Sequence, residues 1–432
     1  MTRVVHVAAE LGQGGTERSI ELLATAPQGP ADQLVVSLGQ DGPTGQRLRA
    51  AGVETRTFGG DIAAAAAAIA DGGGAVALLN RSGRPEAKWN ELIRRLAAGS
   101  VLPLEVNHFG WLDRSAIADG LKGSYCVSGT ALAKYLRQMF GHWPSEAELA
   151  GAPLALVAGN NPVLAGPRPV AGKAELRRRF GLPADAFIAL RIGRPDARKW
   201  SDLLIVHGAR LLEEFPRLHF VLLSAPESRC SIIRRAMGDR VSLMAFTTDR
   251  DRIAGIMAAA DVMLHYARYG ESFGYAIAEA ALAELPVIVQ ATPWGDNAQA
   301  ELIRDGETGF VVRDYAETRR ALARLMGERD LAQATGRRAA ADIAERFGVS
   351  ATWALLHAFI AHAGRSGRGL LPMPEPLAGD QRARLAAGQA SYGEKHPYLR
   401  RFTVERPLYT QPWFWRLLAL DAASIVRQRL AR

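Results

Sequence analysis

The chain reads as an α/β protein: two doubly wound, Rossmann-like halves followed by a tail. Three observations predict this. Short apolar runs alternate with longer Ala- and Leu-rich amphipathic runs along most of the 432 residues, the pattern of parallel sheets covered by helices on both faces. A Gly-, Pro- and Asn-rich segment, Ala158–Lys173, separates two alternating series of similar size. From about Leu370 the alternation stops, and the Pro-rich run LLPMPEP opens a stretch of different composition. The expected boundaries are 1–165 for a first domain, 171–364 for a second and 365–432 for the tail.

The strands follow from the apolar runs. They are expected at Val4–Ala8, Leu34–Leu38, Ala75–Leu79, Leu102–Val106, Tyr125–Val127 and Leu154–Val157 in the first half. In the second half they are expected at Phe187–Ile192, His219–Leu223, Val241–Phe246, Val262–Leu264 and Val287–Val289. Helices are expected between or after them, such as Glu17–Ala24, Ala87–Ala98, Ser201–Phe215, Arg250–Ala259 and Glu317–Met326. The six alanines Ala63–Ala68 read as an ordinary helix surface.

Composition narrows the function. Hydrophobic residues make up 48%, enough for sizeable cores. The formal net charge is +9, and Gly364–Arg432 holds 12 Lys+Arg against 5 Asp+Glu. A basic excess suits phosphorylated substrates or anionic membranes. No basic module interleaved with aromatics supports nucleic-acid binding. Cys126 and Cys230 are the only cysteines, so neither a disulfide framework nor a zinc site is expected. The N-terminal apolar run is too short for a signal peptide, and no run reaches about 18 apolar residues. A soluble cytoplasmic protein is expected, with contact to the inner face of a membrane through the tail.

Three motifs can carry chemistry. ELGQGGTER, Glu10–Arg18, follows the first strand; Gly12, Gly14 and Gly15 permit a tight turn, and the next helix turns free N–H groups towards it. The plainer reading is a strand-to-helix turn capped by Thr16. LRIGRPDARKW, Leu190–Trp200, ends a strand at Gly193 and then offers Arg194, Arg198 and Lys199. Ligands of such sheets sit at the carboxyl ends of strands, where a planar guanidinium and a point charge suit a diphosphate. Solvated surface charges are the competing reading. YGESFGYAIAEAALAELPVIV, Tyr269–Val289, places Glu271 before an expected helix Ser272–Glu284 and Glu279 inside it. The first turn, Phe273–Gly274–Tyr275, would aim backbone N–H groups at a ligand, and the two carboxylates would accept from sugar hydroxyls on either side. A cap at Glu271 and a solvent-facing Glu279 is the alternative.

Together these stretches resemble the retaining family-4 glycosyltransferases, whose fold is GT-B. GESFGYAIAEAALAELPVIV is similar to that family's E-x7-E signature, IGRPDARK to its Gly-Arg-x4-Lys segment and GGTER to its N-terminal Gly-Gly loop. DGETGFVV, Asp305–Val312, resembles its Asp-Gly-x-Thr-Gly segment, with Glu301 matching the Glu before it. The resemblance implies two domains facing a cleft and a tail packing back on the first. It also implies a nucleoside-diphosphate sugar donor, UDP- or GDP-linked, and a glycan or lipid-linked acceptor in cell-envelope polysaccharide synthesis. Catalytic residues would be His108, Glu271, Arg194 and Lys199. The donor would meet Gly14, Gly15, Gly193, Arg194, Lys199, Glu271, Ser272, Phe273, Gly274 and Glu279. Glu271 would hold sugar hydroxyls, Glu279 the ribose, and Arg194 with Lys199 the diphosphate. Ser128 falls at the family's Val-Ser position.

The chain departs from the family in two places. Glu284 stands where Gly is common, and TPWGDNAQAE, with Trp294 and Asp296, replaces the usual Gly-Gly. Asp249 and Asp251 form an Asp-x-Asp that reads as a helix cap rather than a metal site. No cofactor and no metal are expected. A sugar-nucleotide epimerase and a non-catalytic sugar-nucleotide-binding protein are the rival readings. In the tail, Trp413, Phe414 and Trp415, joined to Arg400, Arg401, Arg406, Arg416, Arg427, Arg429 and Arg432, suit an anionic membrane surface.

Overall fold

The structure is a computed structural model that describes residues 3–71, 73–197, 199–365, 367–373, 377–392 and 397–430. The chain divides into two compact units. Unit 1 comprises Met1–Leu164, Asp296–Glu301 and Ile343–Gly393; unit 2 comprises Ala165–Gly295, Leu302–Asp342 and Glu394–Arg432.

Unit 1 holds strands β1 (Val4–Ala8), β2 (Gln33–Ser37), β3 (Glu54–Thr57), β4 (Val76–Arg81), β5 (Leu102–Asn107), β6 (Gly123–Cys126) and β7 (Ala155–Ala158). Unit 2 holds β8 (Phe187–Ile192), β9 (Leu218–Leu223), β10 (Val241–Met244), β11 (Val262–His265), β12 (Val287–Gln290) and β13 (Phe310–Val312). The two-residue β14 (Gly369–Leu370) returns to unit 1. The first sheet runs β14-β7-β6-β5-β4-β1-β2-β3 and the second β10-β9-β8-β11-β12-β13. All pairings are parallel, with Val5 opposite Leu34 and Ala77, and Ala189 opposite Phe220 and Val262. In both sheets the order reverses once, between β1 and β4 and between β8 and β11. A crevice opens outside the carboxyl ends of strands at such a switch point.

Alternation along the strands feeds separate cores in unit 1. Val5, Val7, Ala77 and Leu79 belong to one, with Trp89 and Leu132. Val4, Val76, Leu78 and Val106 belong to the other, with Trp353, Leu356 and Phe359. The second set comes from the helix Val349–Gly364, whose Trp353 indole donates to Leu23 O at 3.2 Å. That helix therefore covers unit 1's sheet, although its sequence lies before the expected boundary at 364. The helix Leu377–Tyr392 also packs in unit 1, against the helix Gly129–Phe140. A Cβ on Gly388 would sit 2.6 Å from Gly129 O, so small residues set the approach. Buried Arg384 donates to Gly159 O at 2.6 Å and Asn160 Oδ1 at 2.7 Å.

Glu394–Arg432 groups with unit 2 rather than with the first sheet. Leu408 and Phe414 join its core beside Phe220 and Leu211, and Asp421 accepts from Arg229 at 3.1 Å and Arg268 at 3.3 Å. The alanine run is also more than surface: Ala65, Ala66 and Ile69 of the helix Ile62–Ala70 enter the unit 1 core.

Candidate active site

In unit 2, β8 and β11 end side by side, and each carries a polar residue at or next to its end. Arg191 is the last residue but one of β8 and His265 the last of β11. Arg191 is 1% exposed and His265 2%. The Arg191 guanidinium bridges the two loops that leave these strands: Nε donates to Tyr266 O at 3.1 Å and Nη2 to Lys199 O at 3.0 Å. It also stacks on the Trp200 ring at 4.8 Å. Gly193 keeps room for it, since a Cβ there would lie 2.9 Å from Arg191 Nη1.

The clamped loop delivers Lys199, whose Nζ donates to Glu271 Oε2 at 2.7 Å. His265 Nε2 stands 3.4 Å from Glu271 Oε1. Burial, with Arg191 beside it, pushes the His265 pKa down to about 4, so the imidazole is neutral near pH 7. Burial also acts to raise the Glu271 carboxyl, but the contacts to His265 and Lys199 outweigh it and hold the pKa at about 2. Burial lowers Arg191 to about 10, against the pull of Glu271, which leaves it charged. Two cations thus face one carboxylate at the switch point, a balance that favours an incoming anion.

After Glu271 the chain turns into a helix. The helix is Tyr275–Leu282 rather than Ser272–Glu284, because its N-cap Gly274 lies at φ 110° and ψ 57°. A side chain is disfavoured there, and a Cβ would meet Ile277 Cδ1 at 3.0 Å. Ser272 is half-buried, and Phe273 is buried edge-on to Tyr275, with ring centroids 5.1 Å apart. Phe273 and Gly274 thus precede the helix instead of forming its first turn. Glu279 sits one turn inside it and is half-buried. Arg194 is exposed, and its carbonyl accepts from Trp200 Nε1 at 2.9 Å. Arg198 lies outside the described residues.

Gly14, Gly15 and His108 belong to unit 1. Gly14 caps the helix Gly15–Ala24 at φ −169°, an extended backbone open to any residue. Thr16 lies inside the helix and makes no cap. Neither Gly12, Gly14 nor Gly15 has a positive φ, so what they contribute is the missing side chain. His108 follows β5 and is 3% exposed; burial lowers its pKa to about 4. Asn80 Nδ2 donates to Leu78 O at 3.1 Å, which turns Asn80 Oδ1 towards His108 Nε2 at 3.2 Å. The imidazole therefore carries its hydrogen on Nε2. Next to it, Arg81 donates to Asp113 at 2.6 Å and lies 3.6 Å from Glu105, all three buried. Gly110, at φ 65°, lets the following loop approach Ala131 O, which a Cβ would meet at 2.2 Å.

Several motif residues prove to be scaffold. Ser128 caps the helix Gly129–Phe140 through Ala131 N at 3.0 Å. Glu301 accepts from Gly129 N at 2.8 Å and Thr130 N at 2.6 Å, and Arg384 Nε lies 3.2 Å from it. A buried carboxylate thus fills that helix end. In DGETG, Gly306 N donates to Gly309 O at 2.8 Å and Val311 N to Asp305 Oδ1 at 2.9 Å, a turn that launches β13. Glu284 has φ 59°, the left-handed position after a helix end that suits Gly. Trp294 Nε1 is 3.5 Å from Arg268 O in unit 2, and Asp296 is 3.6 Å from Lys134 in unit 1. Asp249 caps the helix Arg250–Ala259 through Arg252 N at 3.1 Å. Among the described residues no group of three or more His, Cys, Asp or Glu is placed to hold a metal ion.

Arg191 and His265 were not among the residues expected from sequence. Their signal was a polar residue ending an otherwise apolar, buried strand.

Residues 186–328 match the family model Glycosyl transferases group 1. A D-inositol 3-phosphate glycosyltransferase of Streptomyces bingchenggensis is 34% identical over 195 residues, 42% of this chain and 42% of that protein. The chain thus spans about two fifths of the length of such curated relatives. Anabaena HepE in complex with UDP and glucose superposes with a TM-score of 0.63 at 15% identity, over 84% of this chain and 100% of that one. WaaG, a glycosyltransferase involved in lipopolysaccharide biosynthesis, gives 0.54 at 15% identity, over 83% and 99%. The fold is of the GT-B type, and residues 186–328 are similar to the group 1 glycosyltransferase family.

Proposed function

We propose that the chain is a retaining glycosyltransferase. It moves a sugar from a UDP- or GDP-linked donor to a glycan or lipid-linked acceptor in cell-envelope polysaccharide synthesis, at the inner face of the membrane. The observation that carries this reading is the Lys199–Glu271 pair, 2.7 Å apart beside Arg191 at the switch point of the unit 2 sheet. The matched glycosyltransferase domain supports it.

The hard step is departure of the diphosphate. Lys199 and Arg194 neutralise it, and the N–H groups opening the helix Tyr275–Leu282 add donors without reorganisation. Arg191 acts by holding the loop that carries Lys199. Glu271 accepts from sugar hydroxyls, Glu279 from the ribose diol. As the anomeric C–O bond to the diphosphate breaks, the acceptor oxygen bonds to the same carbon on the same face, and its proton passes to a phosphate oxygen. His108, neutral and hydrogen-bonded through Nε2, serves on unit 1 near sugar and acceptor, beyond the Gly14–Gly15 turn. The diphosphate needs no metal to offset its charge.

Radiolabelled nucleotide sugars screened against membrane lipid extracts test the proposal. Label should pass to an acceptor, and the product should keep the donor's anomeric configuration by NMR. A changed sugar nucleotide released without acceptor, or donor binding with no turnover, would overturn it.

A further inference from the structure

The helices Pro397–Tyr409 and Pro412–Leu430 each show unit 2 one face and solvent another. The sequence put the three aromatics Trp413, Phe414 and Trp415 together as membrane anchors, but the structure separates them. Phe414 is 3% exposed in the core, Trp413 is half-buried against it, and Trp415 is 53% exposed. The outward face has other apolar members: Phe402 is 60% exposed, Leu420 60% and Val426 54%. Phe402 packs on Tyr409 at 5.7 Å and Tyr409 on Trp415 at 5.8 Å, so aromatic contacts join the two helices. At the α-helical repeat, Trp415, Ala419, Ala422, Ala423 and Val426 form one stripe, flanked by exposed Arg416, Arg427 and Leu420.

Charge on these helices is sorted by face. Exposed Arg400 and Arg406 add to Arg416 and Arg427. The two carboxylates, Glu405 and Asp421, turn inward: Glu405 is 5% exposed, and Asp421 pairs with Arg229 and Arg268. Neither acidic side chain described on the two helices is exposed. Among the described residues no helix is long and apolar enough to cross a membrane. An apolar stripe flanked by arginines of its own helices matches the boundary of an anionic bilayer, where apolar groups enter the headgroup region and arginines meet lipid phosphates. We infer that this outward face of the two helices docks on an anionic lipid surface. The inference locates the membrane contact within the functional reading above, yet it needs no donor, acceptor or turnover to be read.

The test is flotation of the full chain with phosphatidylcholine vesicles, with and without phosphatidylglycerol, at low and high salt. The intact protein should float with the anionic vesicles, at least tenfold less with neutral ones, and less at high salt. Arg416→Gln with Arg427→Gln should cut binding to anionic vesicles about tenfold. Leu420→Ser with Val426→Ser should cut it at both salt concentrations. Unchanged thermal unfolding shows that each variant is folded, since all four side chains are exposed. Failure of the intact protein to float, or equal flotation of both folded variants, overturns the inference. So does concentration-dependent self-association that is abolished by Leu420→Ser with Val426→Ser, which would make the face a contact between copies. Any of these results leaves the transfer assay free to succeed.

Discussion

Half-buried Glu271 is held ionised by Lys199 and His265, 2.7 and 3.4 Å away. If it holds the donor sugar and Glu279 the ribose, their variants should differ. Glu271→Ala should abolish transfer while leaving nucleoside-diphosphate binding nearly intact. Glu279→Ala should weaken both by about 1–3 kcal/mol, the cost of losing hydrogen bonds to a charged group. Calorimetric titration beside a transfer assay separates them, and an equal loss of nucleotide binding in both rejects the division of roles. If cations of the chain offset the diphosphate, transfer should also survive excess chelator; loss restored by magnesium or manganese would return Asp249 and Asp251 to consideration. At this scale the sequence was informative where a motif repeats a known spacing, as for Lys199 and Glu271. It did not single out Arg191 and His265, because their role depends on two strands, far apart in the chain, ending side by side.

Backbone conformation explains which element boundaries were legible. The apolar interior strands β1, β4, β8 and β12 announce themselves, whereas β3, Glu54–Thr57, is a polar edge strand whose sequence ETRT resembles a loop. The helix after Glu271 starts late because Gly274 is left-handed, which composition does not reveal. Gly274→Ala should cost about 1–2 kcal/mol from that conformation alone, read as a lowered urea midpoint; an unchanged midpoint would show that the loop relaxes freely. Glu284 is the converse case, a side chain at φ 59° where Gly fits. Its ion pair with Arg168, at 3.5 Å between exposed side chains, is worth little. Glu284→Gly should therefore stabilise unit 2 by about 0.5–1 kcal/mol, the relief of strain less the entropy of glycine. A drop in the unfolding midpoint would assign Glu284 a contact of greater weight.

Across the whole molecule the sequence revealed two alternating halves but not where the chain changes units. Asp296–Glu301 and Ile343–Gly393 return to unit 1 because Glu301 fills a helix end and Trp353 covers a sheet face there, contacts between residues far apart in sequence. Burial of histidine marks both units. His6, His108, His207 and His265 are each lowered to about 4 by burial, so the unfolded chain takes up their protons first on acidification. Stability from these groups is complete above about pH 6.5 and is lost as pH falls towards 4. Glu105, raised by burial against the pull of Arg81, acts the other way and loses stability as pH rises above 4.5, but it stands against five histidines, since burial also lowers His219. Melting temperatures measured from pH 7 to 4 should fall steeply below 6.5; a flat profile would contradict the neutral buried state of the histidines. The central claim, that Lys199 and Glu271 mark the donor-diphosphate site, is tested most directly by calorimetric titration with UDP and GDP before and after Lys199→Ala. The intact protein should bind at least one of them, and the folded variant should bind it at least tenfold more weakly. No binding of either by the intact protein, or unchanged affinity in the variant, would contradict it.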